Sequence, residues 1–246
     1  MIGMGNKPGS TKAELEKAFQ QTFRIIFGEC NVTLDELRPY LLRNHYQPAV
    51  MRKSAISGKD VVVSHSRYPE DARYISQDEI DYMKKAPPIS INEIKDLDSL
   101  LEAIDDRIAY AGNKIFGNCA VVDKVDNCTD SFFVYDSHTI VASKYVALSS
   151  FVRQGSEYIF GSFPLLDCKY LIKVTGAHKL ARAFECCVTT NSSDMFFCVY
   201  CHGCSNVMFS FNQRGKKHVI GNLELPRDKY FELRKKLVDE SREYIE

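Results

Sequence analysis

Residues 131–147 read SFFVYDSHTIVASKYVA, and the SFFVY at 131–135 is answered twelve residues later by SKYVA at 143–147. The pattern returns as SEYIF at 156–160 and CKYLI at 168–172: a small residue, a variable one, an aromatic ring, an aliphatic anchor, then a second position that is mostly apolar. Extended both ways, the apolar anchors are Val122, Val134, Val146, Ile159, Leu171, Phe184, Phe196, Met208 and Ile220. Their spacings are 12, 12, 13, 12, 13, 12, 12 and 12 residues. Three positions before them stand Cys119, Ser131, Ser143, Ser156, Cys168, Ala181, Ser193, Ser205 and Lys217, and all but the last are small. A fixed period of strand-length units is the mark of a stacked repeat.

Two geometries satisfy the period. In an antiparallel meander each unit is one strand and one hairpin loop, which calls for Asn-Gly or Asp-Gly turns, and the chain has neither. In a parallel β-solenoid every unit meets the same surroundings, so the small residue keeps its phase. The expectation is therefore an α+β chain built on a parallel β-solenoid, with two units making a coil of about 24 residues and about four and a half coils in all. Residues 1–116 are expected to form a mainly helical N-terminal region, 117–225 the solenoid and 226–246 a C-terminal capping helix. Open solenoid ends invite strand addition, which gives both flanking regions a structural task.

The N-terminal region supports that division. Ser10 or Thr11 caps a helix whose apolar face is Leu15, Ala18, Phe19, Phe23, Ile26 and Phe27, and Gly28 stops it. Thr33 caps a second helix from Leu34 to Arg43, with Asp35 and Glu36 in its first turn and Pro39 to shorten or kink it. Val61–Val63 reads as a strand with Tyr74-Ile75 as its partner. Ser76 starts a helix that Ala86-Pro87-Pro88 ends, and Ser90 caps a stretch to Ile104 with Ile94, Leu97, Leu100, Leu101 and Ile104 on one face. The final helix follows Pro226, with Tyr230, Leu233 and Leu237 as its apolar stripe.

Composition excludes more than it identifies. Lys plus Arg and Asp plus Glu are 32 each, so no global field draws the chain to nucleic acid or an anionic membrane. No run of eighteen apolar residues exists, and the first residues lack a secretory h-region, so no membrane association is expected. Nine cysteines, an odd number, point to a reducing compartment and so to the cytoplasm, with assembly in a virus particle as the alternative location.

Three constellations bear on chemistry. Cys201-His-Gly-Cys204 is a CxxC with Cys198, Cys186 and Cys187 nearby, and Cys198, Cys201 and Cys204 are candidate zinc ligands. Without a second CxxC pair, the competing reading is that these cysteines fill small corner positions as the serines do, and no cofactor is the default expectation. Arg214, Lys216, Lys217 and His218 form a basic turn that could grip phosphate, beside Phe209 and Phe211, or serve as a solvated turn. No catalytic residues are assigned. His138, His178 and His202 fall at scattered phases and the few acids form no ladder, so neither a nucleophilic triad nor a carboxylate-lined polysaccharide groove has support.

The segment from Cys201 to Tyr230, with its CxxC, the strand Phe209-Ser-Phe-Asn212, the Gly215-Lys216 turn, Ile220-Gly-Asn222 and the Lys229-Tyr230 helix, resembles the C-terminal end of uncharacterised β-solenoid repeat proteins from archaeal, phage and metagenomic sources. That resemblance implies architecture and no activity. The expected role is a non-enzymatic platform for a protein partner or a second copy, presented by Lys144, Glu157, Lys169, Arg182, Asp194 and Asn206. The alternatives are a nucleic-acid-binding accessory protein using Arg214–His218, with or without zinc, and a polysaccharide-acting enzyme.

Overall fold

The computed structural model describes residues 8–43, 45, 48–65, 68–69, 71–85, 87–105, 107–164 and 166–246. Its elements in chain order are α1 (Pro8–Phe27), α2 (Leu34–Leu42), β1 (Val50–Lys53), β2 (Asp60–Val63), β3 (Tyr74–Ser76), α3 (Leu97–Asp105), β4 (Tyr110–Gly112) and β5 (Ile115–Phe116). There follow β6 (Ala120–Thr129), β7 (Phe132–Val141), β8 (Lys144–Ala147), β9 (Glu157–Phe160), β10 (Lys169–Ile172), β11 (His178–Phe184) and β12 (Thr190–Phe196). The chain closes with β13 (Ser205–Met208), β14 (Lys217–Ile220), β15 (Leu223–Glu224) and α4 (Arg227–Ile245).

Strands β5 to β14 stack in parallel as a β-solenoid of about nine turns. Pairing runs Val122↔Val134↔Val146, then Val146↔Ile159↔Leu171, so one twelve-residue unit completes a coil. The expected coil of about 24 residues is twice too long. The reason lies in the backbone. From Val121 through Lys124, Asn127 and Asp130 to Gln154, every third residue has a positive φ, mostly between 45° and 58°. Each such residue turns the chain by about a quarter-circle, so four three-residue sides close a coil in twelve.

The residue after each left-handed position points inward. Around one coil these are Val134, Ser137, Ile140 and Ser143, all buried, so two large corners alternate with two small ones. The small corners carry the backbone's polar requirements. Ser149 Oγ donates to the Ala147 carbonyl (2.8 Å) and accepts the Ser162 N–H from the next coil (3.1 Å). Ser162 does the same with Phe160 (2.9 Å) and Val174 (3.0 Å), so the ladder propagates coil by coil. A small hydroxyl residue is favoured at these corners because it satisfies a buried N–H that no strand reaches, and this run of serines ends at Val174.

The anchors change column partway along. Leu171 pairs with Ala183, and Ala183 with Met195, whereas Phe184 continues Ile172, Phe196 and Met208. The thirteen-residue step from Val146 to Ile159 is real, absorbed at Gln154-Gly155, where both residues have positive φ. The second such step is a shift from the interior column to the outer one beside it. That outer column, Ala147, Phe160, Ile172, Phe184, Phe196 and Met208, is buried under Leu15, Phe19, Phe23 and Phe27 of α1. At about 1.5 Å per residue, α1 is about 30 Å long and crosses six coils spaced about 4.8 Å apart. It packs against every strand from β6 to β11.

Helix α2 is capped by Thr33 as expected, in a capping box completed by Glu36, and lies beside α1 with Leu34, Leu37 and Leu41 buried. Strand β2 pairs with β1, antiparallel, and β3 pairs with β4, in place of the expected β2–β3 pair. The Ser76 and Ser90 starts give single 3-10 turns (Gln77–Glu79 and Ile91–Glu93), and only α3 follows as an α-helix. The two small sheets sit on the first coil through Asp126, which is fully buried. Its carboxylate accepts from the Ser64 N–H (2.8 Å), the Lys114 N–H (3.0 Å) and the Lys114 ammonium. At the other end β15 folds back antiparallel on β14, and α4 buries Tyr230 and Val238 in the flank core.

Candidate functional site

The solenoid sorts its side chains into rows one coil apart, so any site on it is a row or a groove between rows. The platform residues read from the sequence divide between two adjacent rows of one side. Lys144, Glu157 and Lys169 stand in register, with Lys169 and Glu157 paired at 3.1 Å. Arg182, Asp194 and Asn206 belong to the neighbouring row, which begins Phe133, Tyr145, Tyr158 and Tyr170, because of the column shift after Leu171. In that row the four aromatic rings stack with centroids 4.8–4.9 Å apart. Beyond them Arg182 holds Asp194 through two hydrogen bonds, 2.6 and 2.7 Å. The side is flat and built of stacked rings and paired charges.

The cysteines take serine positions. Cys186 and Cys198 lie on the corner column of Ser137, Ser149, Ser162 and Ser210, and Cys204 on that of Ser131 and Ser143; all three are buried. Their sulfurs donate to carbonyls two residues back, Cys198 to Phe196 (3.2 Å) and Cys204 to His202 (3.4 Å), as the serine hydroxyls do. Cys201 occupies a third corner of the same coil, the large one shared with Ile140 and Val152. The contact between Cys198 and Cys201 raises the Cys201 thiol, with burial adding to it, and Cys198 is likewise raised by Cys186 and by burial. Raised thiols disfavour the thiolate that a nucleophilic role requires. Among the described residues no group of three His, Cys, Asp or Glu side chains is placed to hold a metal ion.

The side chains of the basic turn lie in different surroundings. Lys216 pairs with Glu224 (2.9 Å), which raises its pKa, and His218 packs on the Tyr230 and Phe231 rings of α4. Lys217 is exposed on the flat side, in the row of Lys144 and Lys169. Arg214 belongs to a different side, one coil from His202, which stands one coil from Thr190; the Thr190 hydroxyl and His202 Nδ1 are 2.5 Å apart. These three line a groove of about 580 Å³ with Val188, Tyr200 and Asn212. His178 stands in the same row as His202, so two of the three histidines share a phase after all. The sequence reading missed this row, although Thr190, His202 and Arg214 are spaced by the period itself.

A second cleft, of about 670 Å³, lies between the small sheets and the first coil. Its polar groups are largely engaged with one another: Lys59 with Asp78 (2.6 Å), and Asn113 with the Val62 N–H (2.8 Å) and Ser76 (2.9 Å). Asp130 and Asp167 share one row, but Ala142 and Gln154 separate them, so that row presents no adjacent carboxylates. Among the described residues no helix is long and apolar enough to cross a membrane. No family model, curated protein or solved structure matches the chain.

Proposed function

We propose that the chain is a rigid interaction platform of a larger assembly, working in the cytoplasm or in a virus particle and engaging a protein partner through the flat solenoid side. The observation that carries this reading is the continuous ladder of Phe133, Tyr145, Tyr158 and Tyr170 flanked by Lys144, Glu157 and Lys169. Stacked rings on a β-ladder are held in place before binding, so a partner loses little by ordering them. The alternating charges beside them supply selectivity more than affinity.

The test is recovery of a partner by the full chain and by a Lys144→Glu/Lys169→Glu variant, in a salt series and with nuclease treatment. A protein retained by the parent, lost by the variant and insensitive to nuclease supports the platform. Retention that collapses steeply with salt and with nuclease overturns it in favour of nucleic acid, since phosphate contacts release counterions.

A further inference from the structure

Two apolar surfaces are uncovered, and they match each other. The first is α3 and the turn before it. Ile91 is 83% exposed, Leu97 68% and Leu101 54%, and no residue of α3 is buried. The stretch 91–106 carries Glu93, Asp96, Asp98, Glu102, Asp105 and Asp106 against the single Lys95. The second surface is on the solenoid side next to the groove, where Val188, Val199, Tyr200 and Phe211 are exposed, Phe211 and Tyr200 each by 59%. Beside them stand His202 and Arg214. Earlier coils of this same side are covered: Asp126, His138 and Ser150 are buried.

We propose that α3 of one copy docks on the Val188–Phe211 stripe of a second copy, joining chains head to tail. This rests on the platform reading and names a second copy as one partner, bound on a different side of the solenoid. Charge supports it, because an acidic apolar helix meets an apolar stripe bordered by the exposed guanidinium of Arg214. Dimensions support it as well. Leu97 to Ile104 spans about 10 Å along a helix, and the two coil spacings from Val188 to Phe211, at about 4.8 Å each, span about the same.

A chain's own α3 is badly placed for its own stripe. The segment is anchored at the first coil, where the Ile115 N–H bonds Gln77 (2.8 Å) and the Tyr110 N–H bonds Arg73 (2.8 Å). The stripe begins about five coils further on, roughly 25 Å away. The helix and the stripe are different surfaces, so the contact is heterologous and propagates as a ring or a filament. A nine-residue helix covers less than a standard interface, so the association is expected to depend on protein concentration.

The test uses sedimentation velocity on the full chain with two variants, Leu97→Glu/Leu101→Glu and Val199→Glu/Phe211→Glu. The parent is expected to show concentration-dependent mass. Each variant alone is expected to be a monomer, its association weakened at least about a hundredfold. An equal mixture of the two should form dimers and nothing larger, because one supplies an intact stripe and the other an intact helix. Far-ultraviolet circular dichroism on both variants confirms that they fold. A parent that stays monomeric overturns the proposal; α3 protease protection lost on stripe substitution then assigns the stripe to the chain's own helix, and oligonucleotide binding lost in Arg214→Glu assigns it to nucleic acid. Variants with unchanged parental mass overturn it too. The Lys144→Glu/Lys169→Glu variant is expected to assemble as the parent does, so loss of the platform partner and loss of self-association are separable.

Discussion

A hydroxyl at a solenoid corner serves two coils at once, which makes its removal costlier than its size suggests. Ser149→Ala leaves the buried Ser162 N–H without its acceptor and should cost about 1–3 kcal/mol, read as a drop in the urea midpoint at unchanged slope. Cysteine replaces serine at this corner in other coils, and Cys204 does so at the second small corner, so Cys186→Ser, Cys198→Ser and Cys204→Ser together should fold, with stability within about 1.5 kcal/mol of the parent. A collapse of the triple variant would show that the thiols do something that the hydroxyls cannot. Cys119 differs from them. Its sulfur lies 3.8 Å from that of Cys128, a contact that lowers the Cys119 pKa, and the Ser131 N–H (3.5 Å) adds to the effect. Cys119 is half-buried where the interior thiols are sealed, so iodoacetamide near neutral pH should modify it at least about tenfold faster than Cys198 or Cys204. Peptide mass spectrometry at short times checks the order.

Helix placement on the flank depends on where the outer rows let a backbone approach. At Gly161, in the left-handed region with φ 57°, a Cβ would lie 2.7 Å from Leu41 Cβ. Gly161→Ala should push α2 off the flank and destabilise by about 2–3 kcal/mol, combining the overlap with the strained conformation. Urea unfolding would measure it, and an unchanged midpoint would mean that α2 is not held there. Beyond α2, burial depresses the His45 pKa from 6.5 to about 4, and the nearby His138 adds to the shift. The folded state therefore resists protonation that the unfolded chain accepts. His45 contributes its full stability above pH 6.5 and loses it as the pH falls from 6.5 towards 4. His45→Gln should flatten that part of the stability profile, and a profile parallel to the parent's would reject the assignment. At this scale the sequence was legible wherever a periodicity had one partner. The α1 face was read residue by residue because its apolar positions meet one column of the solenoid. The anchor column was misread after Leu171 because the interior position becomes Ala183 while the outer one becomes Phe184, and size alone favours the outer residue. The three-residue sides stayed hidden for a related reason. Left-handed positions usually announce themselves as glycine or asparagine, and here Tyr145, Tyr158, Lys173 and Val188 hold many of them. The groove row went unread because Arg214 was grouped with its neighbours in sequence, not with His202 and Thr190 one and two coils away.

Across the whole molecule, stability passes from coil to coil, and the two ends decide whether the stack stops at one chain. Each coil touches only its neighbours, so the terminal coils have one unpaired strand edge each. The first is paired by the two-residue strand β5, beside the small sheets docked through buried Asp126. The last is occupied by β15, which pairs Leu223 with Ile220 and Glu224 with Val219. A chain ending after Gly221 loses β15 and α4 together, opening the β14 edge and uncovering part of the flank around Phe196 and Met208, where Tyr230 and Val238 lie buried in the parent. An open, flat parallel edge is a template for a further strand. The truncated chain should therefore associate edge to edge and bind thioflavin T, whereas the head-to-tail contact through α3 should not produce that dye signal. Removing only α4, by ending after Leu225, keeps the return strand and exposes the flank alone. Comparing the two separates edge closure from flank burial: dye binding confined to the shorter chain assigns protection to a two-residue strand, and dye binding by both assigns it to the helix.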